Sequence, residues 1–263
     1  MAYKAMGFEM RDGVAWITIN RPDAMNAINA QATHEFYDIV NRISDDRKVR
    51  AVVLTGSGDR AFCAGGDVAE FAEHSGNLPA LVREMTGVLH VGISRLAWLH
   101  APVIAAVNGV AAGAGLSFAA CCDLAIAADT AKFTSAYTRI GLTPDGSSTF
   151  FLTRLLGRRR VMELYLTNRV LSAQEALDWG LVNQVVPAAE LMDTVTKLAN
   201  ELANGPTRAY AGIKKLVMTS PNDTLESQME RETRVIAEMA ATRDAAEGIA
   251  AFTGKRRANY TGE

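Results

Sequence analysis

Between Ala101 and Cys122 the chain runs 22 residues without a charged side chain. That length could cross a membrane, but the stretch contains Pro102, Asn108, Gly109, Gly113 and Gly115, carries few bulky apolar side chains and meets Asp123 at once. Such a composition partitions weakly into lipid and punctuates as strand, turn and helix. The segment therefore belongs inside a globular protein, where backbones pack closely or approach a ligand. The whole chain agrees: 263 residues, 49% hydrophobic, with 7 prolines, suit a full-sized core. Its 21 glycines and about forty alanines stand against only 7% aromatic residues, so small side chains are a general feature.

Charge and cysteine content narrow the function classes. With 27 basic and 29 acidic residues the net charge is −2, which leaves no face built to neutralise a nucleic-acid backbone. The run Arg158-Arg159-Arg160 reads as a solvated helix end, and Lys255-Arg256-Arg257 is the other dense basic run. Cys63, Cys121 and Cys122 are odd in number and two are neighbours, so no disulfide framework is expected. With no CxxC pair and with His34, His74, His90 and His100 scattered, no metal site is expected either. The opening MAYKAMGFEM lacks a signal-peptide apolar region, and a reducing cytoplasm is the expected location.

Periodicity predicts an α/β chain. Phe8–Arg11 and Val14–Ile19 alternate around Asp12-Gly13, a hairpin signal. An amphipathic helix follows near Ala30–Ser44, then a buried strand at Ala51–Thr55; Val103–Val107 repeats the strand pattern and ends in Asn108-Gly109. After each of these two strands comes a small-residue loop and a helix: Cys63–Gly66 precedes one from about Asp67, and Ala112–Gly115 one from about Leu116. Leu78–Leu99 reads as one long helix, Leu124–Ala127 and Lys132–Thr134 as short strands, and the chain beyond Ser147 as helical apart from Gln184–Val186. Gly205-Pro206 marks a boundary between an α/β core, residues 1–204, and a helical C-terminal region, residues 205–263.

A glycine-rich turn from strand to helix commonly binds an anion or nucleotide. The detailed motifs fail: Gly113-Ala114-Gly115 has Phe118 where GxGxxG needs its third glycine, and neither GxxxxGK[ST] nor a GxSxG elbow around Ser117 is present. Two such turns suit another task, the donation of one backbone N–H each to a single developing oxyanion.

Six segments occur in order: AFCAGGD (Ala61–Asp67), PVIAAVNGVAAGAG (Pro102–Gly115), AKF (Ala131–Phe133), IGLTPDGSST (Ile140–Thr149), LTNRVLSAQEALDWGLVNQVV (Leu166–Val186) and AFTGKR (Ala251–Arg256). Through them the chain resembles the enoyl-CoA hydratase/isomerase (crotonase) family over essentially its whole length. The resemblance implies a spiral of strand-strand-helix units with a helical C-terminal region for oligomerisation and CoA contact. It implies an acyl-CoA thioester as substrate, with coenzyme A entering only as part of it and no separate cofactor, and a homotrimer or dimer of trimers. It assigns the oxyanion donors to the amides of Gly66 and Ala114. CoA contacts fall on Met25, Ala27, Ala64, Gly65, Asp67 and Val68, and on Phe252 and Lys255, a pair that often reaches a neighbouring subunit. Phe71, Leu81, Met85 and Tyr137 are expected around the acyl group.

The departure lies in the catalytic acids. Where hydratases of the family carry their two glutamates, this chain has Ser117 and Tyr137, neither of which is a carboxylate base. A carboxylate stands instead at Asp145, a position shared with family isomerases that move a double bond, with the ring-epoxide isomerases of phenylacetate breakdown, and with 4-chlorobenzoyl-CoA dehalogenases. The segments look most like the ring-epoxide isomerase branch. The expected activity is isomerisation with Asp145 as proton shuttle; Asp145 also fits an Asp-Gly turn or helix N-cap. The alternatives are a hydratase-like lyase, a dehalogenase-like hydrolase in which Asp145 is the nucleophile and His90 the base, and a non-catalytic acyl-CoA binder.

Overall fold

The computed structural model describes residues 3–263. Strands β1 (Met6–Arg11) and β2 (Val14–Ile19) pair antiparallel across Asp12-Gly13, both at positive φ, as a tight hairpin turn demands. Helix α1 (Ala30–Ser44) starts where the Asn29 side chain accepts the Ala32 N–H at 2.9 Å, and buries Ala32, Phe36, Ile39, Val40 and Ile43 at helical spacing.

Three strand-strand-helix turns then wind into a spiral. Strands β3 (Ala51–Gly56) and β4 (Ala61–Cys63) lead into α2 (Val68–Glu73) and α3 (Leu78–Ala97); β5 (Val103–Val107) and β6 (Val110–Ala112) lead into α4 (Ala114–Cys121); β7 (Leu124–Ala128) and β8 (Lys132–Thr134) lead into α5 (Ser148–Thr167). After them come β9 (Leu171–Ser172), α6 (Ala173–Trp179) and β10 (Gln184–Val186). The first strand of each turn joins a six-stranded sheet, β1-β2-β3-β5-β7-β10, and the second joins a four-stranded sheet, β4-β6-β8-β9. Within the spiral the strands pair parallel, because each returns to its sheet only after a helix.

Both faces of the larger sheet are covered. Val52, Leu54, Ala105, Val107 and Ala127 face the main core with α1, α3 and α4, where Phe36 meets Phe118 edge-on at 5.0 Å. The intervening Val53, Ile104, Ala106, Ile126 and Ala128 pack against Leu191, Val195, Ala199 and Ala203 of α7 (Leu191–Ala203). This period-2 division explains why these strands read as continuous apolar runs.

Helices α8 (Thr207–Thr219), α9 (Leu225–Ala240) and α10 (Arg243–Thr253) follow Gly205-Pro206. Two cations tie them to the core. Lys214 bridges Asp123 at 2.6 Å and the Ala101 carbonyl at 3.0 Å, while Arg50 donates to the carbonyls of Gly205 and Thr261 at 2.6 and 2.5 Å. Burial keeps the Asp123 carboxyl above its ordinary pKa even beside Lys214.

The structure differs from the sequence expectation in the small strands and at one helix start. β4, β6 and β9 are three residues or fewer and show no alternation to detect. α4 begins at Ala114, two residues before the expected Leu116, because Gly115 is absorbed into its first turn against the Cys63 carbonyl. An added Cβ at Gly115 would collide with that backbone oxygen. Gly115→Ala is therefore expected to destabilise the fold by about 2–3 kcal/mol, read as a lower denaturation midpoint at unchanged m-value.

Candidate active site

The two glycine-rich turns meet. Gly65, at φ 104°, and Gly113, at φ 53°, are both in conformations that favour glycine, and a Cβ on Gly65 would lie 3.4 Å from the Gly113 Cα. Their successors, Gly66 and Ala114, are thereby brought side by side. Ala114 opens α4, so its N–H is one that a helix leaves unpaired, and the Gly66 N–H likewise donates to no group among the described residues. Cys63 shapes the first turn, its sulfur accepting the Gly65 N–H at 3.5 Å; burial pushes its thiol up to about 12, so it stays protonated.

The AGGD loop is stitched to the segment before α1. Ala64 N–H donates to the Met25 carbonyl at 3.1 Å, Ile28 N–H to the Gly65 carbonyl at 2.7 Å, and Asp67 N–H to the Ile28 carbonyl at 2.9 Å. Met25 and Asn26 are both left-handed, and Asn26 is buried, donating to the carbonyls of Ser57 and Ala61. Asp67 caps α2 through the amides of Ala69 and Glu70 and pairs with Arg21 at 2.8 Å. Burial alone would raise its carboxyl, but Arg21 and these amides hold it below the ordinary value.

A cavity of about 330 Å³, mostly apolar, opens beneath the paired turns. Ala64, Gly65, Gly66, Val68, Gly113 and Ala114 form one wall; Phe71, Val82, Met85, Thr86 and Leu89 form a second; Ala136, Tyr137, Arg139, Ile140, Leu142, Thr143 and Asp145 close the third. Of the expected acyl-pocket residues, Phe71, Met85 and Tyr137 line it, whereas Leu81 does not and Val82, one residue on, does. Met25, Ala27 and Asp67 stand behind the first wall. Phe252, 87% exposed, and Lys255 lie on and just beyond α10 and do not border this cavity.

Asp145 is the one carboxylate lining the cavity among the described residues. Its Oδ1 accepts the Tyr137 hydroxyl at 2.6 Å, and its Oδ2 lies 3.3 Å from His90 Nε2. It does not cap α5, which starts at Ser148 behind Ser147; only the Asp145 carbonyl serves that end, accepting from the Ser148 amide and hydroxyl. Burial first, and then the charge and hydrogen bond of Asp145, push the Tyr137 phenol far above its ordinary pKa, so Tyr137 acts as a permanent donor. Ser117 is wholly buried and its Oγ donates to the Asp145 carbonyl at 3.1 Å. The position that carries a glutamate in hydratases thus anchors the backbone of the aspartate.

Of the third wall, Tyr137 and Asp145 were expected at the site from the sequence, while Ala136, Arg139, Ile140, Leu142 and Thr143 were not. They lie in a loop with one short 3-10 turn and no periodicity, and Ala136 is held at φ 59°.

Comparison with known proteins agrees with this architecture. The family model described as enoyl-CoA hydratase/isomerase matches residues 9–263. The chain is 38% identical to the 1,2-epoxyphenylacetyl-CoA isomerase of Escherichia coli K12, covering 95% of this chain and 96% of that one. It is also 38% identical to 4-chlorobenzoyl coenzyme A dehalogenase-2 of an Arthrobacter species, covering 94% and 90%. The crystal structure of an enoyl-CoA hydratase from Polaromonas sp. JS666 superposes with a TM-score of 0.93 at 32% identity, covering 98% and 100%. These names span three reactions at similar distance, so overall likeness fixes the fold and family and leaves the reaction to the site. The chain belongs to the enoyl-CoA hydratase/isomerase family.

Proposed function

We propose that the chain isomerises an acyl-CoA thioester, aromatic-derived or of medium chain length, with Asp145 moving the proton and the amides of Gly66 and Ala114 holding the thioester oxygen. The carrying observation is the lone carboxylate: among the described residues Asp145 is the only acid lining a mostly apolar cavity that Gly66 and Ala114, with their free amides, also line. In this reading Asp145 takes the α-proton, the C–H electron pair flows onto the thioester oxygen, and Asp145 gives a proton to the vinylogous carbon as the carbonyl reforms. Amides fixed before the charge develops stabilise it without reorganising, and a water-poor wall strengthens that interaction. One carboxylate suffices for the shuttle, and coenzyme A is needed only as part of the substrate.

The Met25–Val68 stitching supports a CoA-binding role for Met25, Ala27, Ala64, Gly65, Asp67 and Val68. The exposed apolar residues Ile213, Val217, Leu225, Met229, Ile236 and Ile249 along α8–α10 support a homotrimer or dimer of trimers, in which Phe252 and Lys255 reach a neighbour's CoA. No helix among the described residues is long and apolar enough to cross a membrane.

A dehalogenase-like hydrolysis is favoured by the His90–Asp145 contact, but it needs Asp145 free to attack carbon, and the carboxylate is held by the Tyr137 hydroxyl at 2.6 Å. A hydratase is opposed by Ser117, whose hydroxyl is occupied on the Asp145 carbonyl. The test is a panel of 3-hexenoyl-CoA, crotonyl-CoA and 4-chlorobenzoyl-CoA. Conjugation of the first without hydration of the second or chloride release from the third is expected, and either of the latter as the main activity overturns the reading. Tyr137→Phe is expected to lower kcat on 3-hexenoyl-CoA by about tenfold with KM little changed, because a charge-assisted hydrogen bond that orients Asp145 is lost.

A further inference from the structure

His90 is the remaining titratable group in contact with Asp145, and the isomerase reading gives it no task. It sits on α3 one residue past the cavity-lining Leu89, with its side chain 46% exposed. The Asp145 carboxylate therefore spans two environments: Oδ1 meets Tyr137 on the cavity wall, and Oδ2 meets an imidazole open to solvent.

The Gly146 amide sets how that contact operates. An N–H can only donate, so at 3.1 Å it requires a lone pair on His90 Nε2, and the resting imidazole carries its proton on Nδ1. While Asp145 is ionised, Nε2 and Oδ2 at 3.3 Å then have no proton between them. Once Asp145 has accepted a proton, its O–H is a second donor facing the single Nε2 lone pair, and proton transfer to Nε2 displaces the weaker Gly146 N–H.

Resting on the isomerase reading, we propose that His90 is the outlet by which Asp145 trades the substrate-derived proton for one from solvent. The Asp145 O–H bond breaks as an Nε2–H bond forms, and the resulting imidazolium loses that Nε2 proton to water, which restores the Nδ1–H imidazole. A water proton taken up again at Nε2 is passed back to Asp145, which places it on the substrate. His90 thus acts through Asp145, and it decides whether the product keeps the substrate's own hydrogen.

The experiment is isomerisation of 3-hexenoyl-CoA in D₂O, with deuterium counted per product molecule by mass spectrometry, a ratio independent of how fast each variant turns over. The parent is expected to incorporate deuterium in most turnovers. His90→Gln, whose side-chain oxygen still accepts the Gly146 N–H but cannot relay a proton, is expected to lower incorporation about fivefold or more. In His90→Ala, added imidazole should restore it. Equal incorporation in parent and His90→Gln, or full retention of the substrate hydrogen by the parent, overturns the role of His90 while leaving the isomerase reading intact. Absence of any conjugated product from the parent overturns the isomerase reading itself.

Discussion

Asp145→Asn is expected to cut turnover of 3-hexenoyl-CoA by about a thousandfold or more, the usual contribution of a positioned general base. The substitution is nearly isosteric. An amide oxygen at Oδ1 still accepts the Tyr137 hydroxyl, and the anchors of the residue, Ser117 and Ser148 on its backbone carbonyl, are untouched. What disappears is a group able to take a proton from carbon. Affinity for hexanoyl-CoA, a saturated thioester that cannot be conjugated, should stay within about twofold by calorimetry, since uniform binding does not involve the base. Retained turnover would remove Asp145 from the mechanism; loss of turnover together with loss of binding would make it a structural residue.

Ala114→Pro is expected to lower kcat by about a hundredfold or more while leaving stability close to that of the parent. Ala114 is the first residue of α4, where proline is tolerated because the missing N–H had no helical partner. The residue before it, Gly113, at φ 53° and ψ −120°, has no Cβ to clash with the proline ring. The substitution therefore deletes one main-chain donor at a helix start, and loss of one oxyanion donor characteristically costs two to three orders of magnitude. Steady-state kinetics alongside thermal denaturation separates the two effects. An active Ala114→Pro protein would show that this amide does not meet developing charge, and an unfolded one would show that the helix start requires it for the fold.

The larger features of the fold were legible because long periodic segments dominate it. Ala30–Ser44 and Val103–Val107 fall where their patterns place them, and the hairpin at Asp12-Gly13 follows from turn chemistry. The second sheet was largely hidden, since strands such as Val110–Ala112 are too short to alternate and depend on neighbours distant in sequence. In the site, the paired turns were legible through their glycines. The contact between Asp145 and His90, 55 residues apart, was not legible from periodicity, because it depends on how the loop after β8 lies against α3.

The two departures from the hydratase pattern are coupled by packing. Gly146 is held at φ 60° with its missing Cβ only 3.1 Å from the Ser117 side chain. A glutamate at position 117 would drive this loop outward, carrying Asp145 away from Tyr137 and His90. Loss of one carboxylate and the approach of another are thus parts of a single rearrangement, which gives the lone-carboxylate reading a basis in packing density as well as in residue type.

The central claim is that one carboxylate and two main-chain amides act on the same thioester, and uptake of deuterium at the α-carbon of 3-hexenoyl-CoA in D₂O tests it most directly. The parent protein is expected to exchange that position and to yield the conjugated isomer, and both Asp145→Asn and Ala114→Pro are expected to lose the exchange. Tight binding of the thioester with neither deuterium uptake nor conjugated product from the parent would contradict the account and identify the chain as a binder of acyl-CoA without chemistry of its own.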